Sequence, residues 1–335
     1  MSIQHNYQPR YYDYNQIPND GLCTQIEKEN KIEQVKNNIE EHTYFLAQQI
    51  GSRNIENIDS YKKLNQAASY LKKVLHDIGY KINIQSFETK FSSMLYKVEN
   101  IEAIIEGTTH KDQSIIIGAH YDTVNISPGA DDNGSGVAAL LEMARYLFNT
   151  TNEKTIKFVA FPNEEKPYSL DPETKKEFSN NMGSVVYAKY ARENHENIQG
   201  MISLESIGYY SNKPDSQKYP FSWLKWFYPD TGNFLGFISN VESFGFWWDA
   251  NSAFKEHSLF PTASMVVPEF LVPGIGRSDH KSFWIEGYPA IMITDTADNR
   301  NPYYHTEYDT INTIDYNAIT EVVIGLSEMM HELAN

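Results

Sequence analysis

Apolar side chains recur at helical spacing in the first part of the chain and at strand-like spacing soon afterwards. One apolar stripe runs through residues 25–50, and a second, with alternating steps of three and four, runs through residues 61–78. Such stripes predict two amphipathic helices, and Gly79 is the type of residue that commonly ends one. Stretches of β-like composition at 81–87 and 98–105 predict two strands.

From residue 114 onward, short apolar runs alternate with amphipathic stretches. The run SIIIGA at 114–119 is apolar and β-branched over most of its length, which is typical of a strand buried on both faces. Strands that alternate with crossover helices predict an α/β fold of three layers, α/β/α, in which helices flank a mostly parallel, mixed central sheet. Further strands are predicted at 156–161, 201–207, 233–240 and 289–294, and helices at 137–147, 183–194, 241–257 and 319–333.

The chain divides into a short arm and one large domain. Residues 1–24 are polar and rich in tyrosine, and we expect them to be irregular, whereas residues 25–335 supply the elements of a single domain. Within that domain, the stretch 209–232 is rich in proline and aromatic residues and is too long for a simple connection. We expect it to cover the functional site as part of a pocket wall.

Charge and composition narrow the class of protein. The net charge of −16 disfavours nucleic acid and anionic membrane surfaces as partners, because no basic stripe offsets phosphate repulsion. The single cysteine, Cys23, excludes an internal disulfide, and no apolar run approaches the roughly 20 residues that a membrane span requires. No signal peptide is visible, which favours the cytoplasm for the chain as given; a leader removed beforehand would place it in the periplasm or outside the cell.

Polar side chains that could bind a metal ion or take part in catalysis follow three of the predicted strands. His120 comes directly after SIIIGA, Glu164 and Glu165 follow the run IKFVAF, and Glu205 lies near the end of its own strand. Ligands in open α/β sheets bind at the carboxyl ends of the strands. We therefore expect these side chains to meet at one edge of the sheet.

Two further candidates lie in loops. The turn PGADDNGSG at 128–136 directly precedes a helix and can present Asp132 inward, where the helix N-terminus stabilises its negative charge. A helix cap would explain one of its acidic residues but not two. A phosphate-binding loop fits poorly, because acidic side chains would repel phosphate and no lysine follows. Tyr304 and His305 lie in a second polar loop, at a rim.

Together these positions supply two imidazoles and three carboxylates that can hold two divalent ions, with one carboxylate shared between them. The absence of thiolate favours a catalytic zinc pair over a closed structural site. Glu164 stands beside a ligand, where a general base would lie, and Asp122 could hydrogen-bond the imidazole of His120 and fix its tautomer. Each signal alone has an ordinary surface-loop explanation, but their ordered occurrence indicates a two-metal hydrolase. The five candidate ligands are His120, Asp132, Glu165, Glu205 and His305.

Several stretches between Gly118 and Thr310 carry a resemblance to a known family. They are GAHYDTV, PGADDNGSGVAALLE, FVAFPNEE, SLESIGYY, SDHKSFWIEGYPAIMITDT and YHTEYDT. In these stretches the chain resembles the M28 family of di-zinc peptidases, in its aminopeptidase group. The resemblance makes 25–335 a zinc-peptidase catalytic domain that holds two divalent ions, expected to be zinc.

The resemblance also implies a role for each candidate. Asp132 would bridge the metal ions, and a cis peptide bond would join it to Asn133. His120 and Glu205 would complete one metal site, and Glu165 and His305 the other. The remaining implied roles are orientation of His120 by Asp122, general base for Glu164, a position near the developing oxyanion for Tyr304, and support behind the ligands for Ser278 and Asp279.

Two features depart from the pattern of the family. Glu205 stands where many members carry aspartate, which keeps a carboxylate ligand and changes its geometry by one methylene. The stretch 166–182 is longer than usual and is expected to reshape the rim of the site.

The function implied is that of an aminopeptidase, which releases N-terminal residues from peptides through a hydroxide that bridges the metal ions. The ligand carboxylates would also accept the free α-ammonium of the peptide substrate. A carboxypeptidase remains an alternative, with Arg277, Lys281 and Arg300 as the available cations. A single-zinc glutaminyl cyclase is disfavoured because ligands for two ions are present, and a non-catalytic binding module is disfavoured because such modules lose ligands or the base.

Overall fold

A single eight-stranded sheet forms the centre of the molecule. The computed structural model describes residues 22–272 and 274–335, so the arm predicted at 1–24 lies almost entirely outside the described residues. The strands are β1 (Ile82–Phe91), β2 (Met94–Ile105), β3 (His110–His120), β4 (Lys154–Phe161), β5 (Asn197–Glu205), β6 (Leu235–Ser239), β7 (Thr262–Val266) and β8 (Ala290–Thr294).

The order of strands across the sheet is β1-β2-β4-β3-β5-β8-β6-β7. The central strands β4, β3, β5 and β8 run parallel, as do β6 and β7. The pairs β1–β2, β2–β4 and β6–β8 are antiparallel. The predicted mostly parallel, mixed sheet is therefore confirmed.

Helices cover both faces of this sheet, which confirms the three-layer α/β/α prediction. Ile115 and Ile117 pack into the large core cluster that also contains side chains of α2, α3, α5 and α7, whereas Ile116 packs into a second cluster with α4 and α6. Burial on both faces explains why β3 is apolar at successive positions. The helices are α1 (Leu22–Thr43), α2 (Ile58–Ile78), α3 (Gly136–Leu147), α4 (Gly183–Glu193), α5 (Phe244–His257), α6 (His280–Ile285) and α7 (Tyr316–Leu333).

The two helices predicted in the first part of the chain are present with recognisable ends. α1 continues directly into a π-helical segment, Tyr44–Ile50, so the predicted stripe spans two kinds of helix. The side chain of Asn57 caps α2 by accepting from the N–H groups of Asp59 and Ser60. Gly79 ends α2 at φ 121°, and a Cβ there would lie 2.5 Å from the ring of Phe148.

Two short elements were not predicted. β7 has five residues of which four are only half-buried, so its sequence shows no alternation. α6 has six residues, too few to display a helical period. Among the described residues, no helix combines the length and apolar character needed to cross a membrane.

The sheet determines where the candidate site lies. His120 is the last residue of β3 and Glu205 the last of β5, while Glu164 and Glu165 follow the end of β4 at Phe161. These three strands are adjacent and parallel. Their carboxyl ends therefore bring the side chains to one edge, as predicted.

Candidate metal centre

The five predicted ligands converge at the carboxyl edge of the sheet. His120 Nε2 lies 3.4 Å from Asp132 Oδ1 and 3.3 Å from Glu205 Oε2. His305 Nε2 lies 2.9 Å from Asp132 Oδ2 and 3.2 Å from Glu165 Oε2. The two oxygens of Asp132 thus face two different imidazoles, and this carboxylate belongs to both groups of side chains.

The polar atoms at the centre of this cluster lack hydrogen-bond partners. Both ring nitrogens of His120, both oxygens of Asp132, Oε1 of Glu165 and Nε2 of His305 are buried and have no hydrogen-bond partner. Native proteins rarely leave buried polar atoms in this state. Two groups of ligand atoms, each within 4.8 Å, could each hold a cation: His120, Asp132 and Glu205, and Asp132, Glu165 and His305. Imidazole and carboxylate donors fit a divalent ion such as zinc.

Burial and the charges of neighbouring side chains shift the pKa values of the residues in this cluster. Burial disfavours the imidazolium form of His305, but Asp132 and Glu165 outweigh it and raise the pKa of His305 to about 11. Burial is likewise outweighed at His120, whose pKa is raised well above its ordinary value by Glu205 and the neighbouring aspartates. Burial raises the pKa of Glu165 to about 8. Without a cation, the cluster therefore retains protons at neutral pH.

A buried aspartate holds the backbone that carries Glu164 and Glu165. Asp122 Oδ1 accepts from the N–H of Glu164 at 3.0 Å, and Oδ2 accepts from the N–H of Glu165 at 3.1 Å. Oδ1 also lies 3.4 Å from His120 Nδ1. Asp122 can therefore position the ring of His120, as predicted from the spacing, and in addition it fixes the loop after β4.

A second buried aspartate holds the backbone of the turn before α3. Asp309 accepts from the N–H groups of Asp131 and Asp132, at 2.9 Å and 3.1 Å. The peptide bond between Asp132 and Asn133 is cis, as the family resemblance implied. Sequence reasoning missed Asp309, although it lies four residues after His305 in the stretch YHTEYDT.

Arg53 was also missed, and it joins the first helices to the site. Its fully buried guanidinium donates to backbone carbonyls of Tyr121 at 2.7 Å, Pro128 at 2.9 Å and Gly129 at 3.2 Å, and to those of Leu46 and Gly51. Burial lowers the pKa of Arg53 to about 10, so the group stays charged at neutral pH beside the carboxylates of the site. A lone arginine in a polar loop gives no signal of this role in one sequence.

The remaining predicted residues lie around the cluster. Ser278 donates to Glu205 Oε2 at 2.8 Å, which supports its expected place behind a ligand. Asp279 is fully buried with neither oxygen hydrogen-bonded, and burial raises its pKa to about 7. The ring of Tyr304 stacks on His305, with ring centres 3.9 Å apart.

Two cavities adjoin the cluster. The larger, about 330 Å³, is lined by Glu205 and by apolar side chains that include Ile238, Met265 and Met292. The smaller, about 120 Å³, is lined by Glu164, Glu165 and His305. Residues 217–220 and Tyr228 border the larger cavity, and several residues of the stretch 166–182 border the smaller one.

Because both imidazoles hold protons in the metal-free protein, we expect zinc binding to release protons. A divalent ion competes with protons for the side chains whose pKa is raised. The affinity for zinc should therefore increase from pH 6 to pH 8. Calorimetric titration of the metal-free protein in two buffers of different ionisation enthalpy measures the release. Equal heats in both buffers, together with a pH-independent affinity, would contradict this prediction.

Removal of the Arg53 guanidinium should destabilise the fold severely. Arg53→Met leaves several buried carbonyls without donors, each worth roughly 1–3 kcal/mol, and we expect a loss of about 3 kcal/mol or more in the free energy of unfolding. Urea denaturation measures it. Lys62→Met, which removes a pair with Asp59 on the surface, is the control and should change stability little. If Arg53→Met lowers the free energy of unfolding by no more than the control does, Arg53 does not hold these loops together as described.

Sequence comparison finds relatives that match over most of this chain. A protein of Escherichia coli K12 named uncharacterized protein YfbL is 35% identical over 301 residues, which cover 88% of this chain and 87% of that protein. A probable leucine aminopeptidase of Arthroderma otae is 27% identical over 284 residues, 79% of this chain and 63% of that protein.

Solved structures show the same fold. The zinc aminopeptidase BSAP of Bacillus subtilis superposes with a TM-score of 0.66 at 16% identity, over 90% of this chain and 95% of that chain. The sequence model of peptidase family M28 matches residues 100–330, which is well over half of the chain. The chain therefore belongs to peptidase family M28.

Proposed function

We propose that this protein is an aminopeptidase with two zinc ions, which releases N-terminal residues from peptides. The observation that carries the proposal is the position of Asp132, whose two oxygens each face a different imidazole. A carboxylate shared by two three-ligand groups is the arrangement expected for a co-catalytic pair of ions. Membership of family M28 and the relatives named leucine aminopeptidase support the same function.

In this proposal Asp132 is common to both ions, His120 and Glu205 hold one, and Glu165 and His305 hold the other. When bound, such ions lower the pKa of water and polarise a carbonyl oxygen. Residues 25–335 then form the catalytic domain, and Ser278 keeps Glu205 in place through its hydrogen bond.

Glu164 is the proposed general base. It borders the small cavity next to the ligand Glu165, and its backbone is held by Asp122. Burial raises the pKa of the Glu164 carboxyl, and two bound cations would lower it, so the carboxyl would be ionised and able to accept a proton. Glu164 would take a proton from the attacking water and deliver it to the departing amine.

Tyr304 is the proposed oxyanion donor. Its ring stacks on His305 and it lines both cavities, which supports a place for Tyr304 beside the scissile carbonyl. Burial raises the pKa of Tyr304 well above its ordinary value, so the hydroxyl keeps its proton and can donate.

The larger cavity is the proposed binding place for the first side chain of the peptide. It borders Glu205, and Ile238, Met265 and Met292 give it an apolar lining. The ligand carboxylates beside it would accept the free α-ammonium. Residues 217–220 and Tyr228 form part of its wall, which is the covering role that we propose for the segment 209–232.

The carboxypeptidase alternative is weaker, because its three cations do not share one place. Arg300 is buried and donates to Gln217, and Lys281 pairs with Glu269. Of the three, Arg277 lines the cavities beside the cluster. The glutaminyl cyclase alternative requires one zinc site where ligands for two converge, and a non-catalytic module would not be expected to retain Glu164.

A panel of aminoacyl-p-nitroanilides tests the proposed function. We expect substrates with apolar first residues to be hydrolysed, N-acetylated versions to be inert, and activity to disappear on chelation and return with zinc. Hydrolysis of the acetylated substrates at comparable rates, or activity that survives complete chelation, would refute a metal-dependent aminopeptidase.

Paired substitutions separate the base from the ligand. Glu164→Gln keeps the shape but cannot accept a proton, so kcat should fall on the order of 10²–10⁴-fold while both ions are retained. Glu165→Gln should instead lose metal and activity together. Steady-state kinetics and metal analysis of both variants measure this difference. Near-normal turnover by Glu164→Gln would show that the proposed proton path is wrong.

A further inference from the structure

We infer that the small cavity beside Glu164 binds a leaving residue that carries a carboxylate, and that Arg277 is the residue that selects it. The carboxylate can be the α-carboxylate of a dipeptide or an acidic side chain. This inference rests on the proposed function, because it assigns the side of the site from which the cleaved amine departs.

The position of Glu164 identifies the leaving side. The group that protonates the departing amine must lie beside it, so the second residue of the peptide occupies the cavity that Glu164 lines. That cavity measures about 120 Å³, below the roughly 300–1,000 Å³ of typical ligand pockets. It can enclose the part of one residue next to the cleaved bond, and a longer chain would have to leave it.

Arg277 lies where the two cavities meet. Among the described residues, Arg277 and Tyr304 are the two that line both. The backbone next to Arg277 is anchored, because Ser278 donates to Glu205. The stem of Arg277 passes close to Gly274, where a Cβ would lie 3.0 Å from Arg277 Cδ. Arg277 therefore borders both the cavity proposed for the first residue and the cavity on the leaving side.

The current partner of Arg277 can be exchanged for a substrate. Nη1 donates to Asp298 at 3.0 Å, and the two side chains are 52% and 46% exposed. A pair this exposed contributes little stability. The second cation of the small cavity, Lys166, is in the same situation, since it pairs with Glu177 on the surface. An entering carboxylate can accept bidentate hydrogen bonds from Arg277 in place of Asp298.

Charged side chains of both signs line the small cavity. The acidic ones are Glu164, Glu165 and Glu177, of which Glu177 is paired with Lys166. Arg277 adds a positive charge that a carboxylate on the leaving residue can contact directly. A neutral leaving group gains nothing from Arg277, so the preference for a carboxylate should depend on this residue.

The test compares matched peptides on the zinc-loaded enzyme. The pairs are leucyl-alanine with leucyl-alanine amide, and leucyl-glutamate amide with leucyl-glutamine amide. We expect the charged member of at least one pair to have a roughly tenfold higher kcat/KM, the size of a partly exposed charged hydrogen bond. The first pair reports an α-carboxylate and the second an acidic side chain.

Substitutions assign the preference to Arg277. Arg277→Gln should bring the ratio within each pair close to one, and Arg277→Lys should give an intermediate ratio because it loses the planar fork. Lys281→Gln is the control: Lys281 pairs with Glu269, and the ratio should stay at the wild-type value. Calorimetric binding of leucyl-alanine and its amide to Glu164→Gln gives a readout that does not require turnover.

Three results would overturn the inference. Ratios near one in the wild-type enzyme would do so, as would a ratio that Arg277→Gln leaves unchanged. An equal loss on both members of each pair would assign Arg277 to the scissile carbonyl instead. Hydrolysis of leucine p-nitroanilide distinguishes a failure of this inference from a failure of the proposed function. This substrate has no carboxylate on the leaving side, so it reports the aminopeptidase activity alone.

Discussion

The carboxylate of Asp132 is the constraint on which the rest of the site depends. Its two oxygens are buried, have no hydrogen-bond partner and face His120 and His305, which come from distant parts of the chain. Protein groups alone leave these atoms unsatisfied, whereas two cations would satisfy them together. The buried polar residues around the cluster hold in place the backbone that carries the atoms that would surround those cations.

Hydrogen bonds to the backbone do most of this positioning. Asp122 and Asp309 each accept from two successive N–H groups of a loop that carries candidate ligands, and Arg53 donates to the carbonyls of the loops after β3. Polar groups that are buried and fully partnered keep loops in one conformation. The loops with the candidate ligands can therefore be irregular in structure and still hold their side chains in place.

The sequence predicted the parts of this structure that follow from a repeating pattern. Buried parallel strands are continuous apolar runs, so the ends of β3, β4 and β5 could be located, and with them His120, Glu165 and Glu205. β7 was missed because it is mostly half-buried and its sequence shows neither an apolar run nor an alternation, and α6 was missed because six residues are too few to show a helical period. Arg53 and Asp309 were missed because their partners are backbone atoms distant in the chain, and such contacts leave no spacing to detect.

The zinc content per chain tests the shared Asp132 most directly, measured by native mass spectrometry after saturation and removal of loosely bound ions. We predict two ions per chain in the wild type, weakened binding of both in Asp132→Asn, and loss of mainly one in Glu205→Gln. A single ion per saturated wild-type chain, or two ions bound with unchanged affinity in Asp132→Asn, would contradict a carboxylate shared between two metal sites.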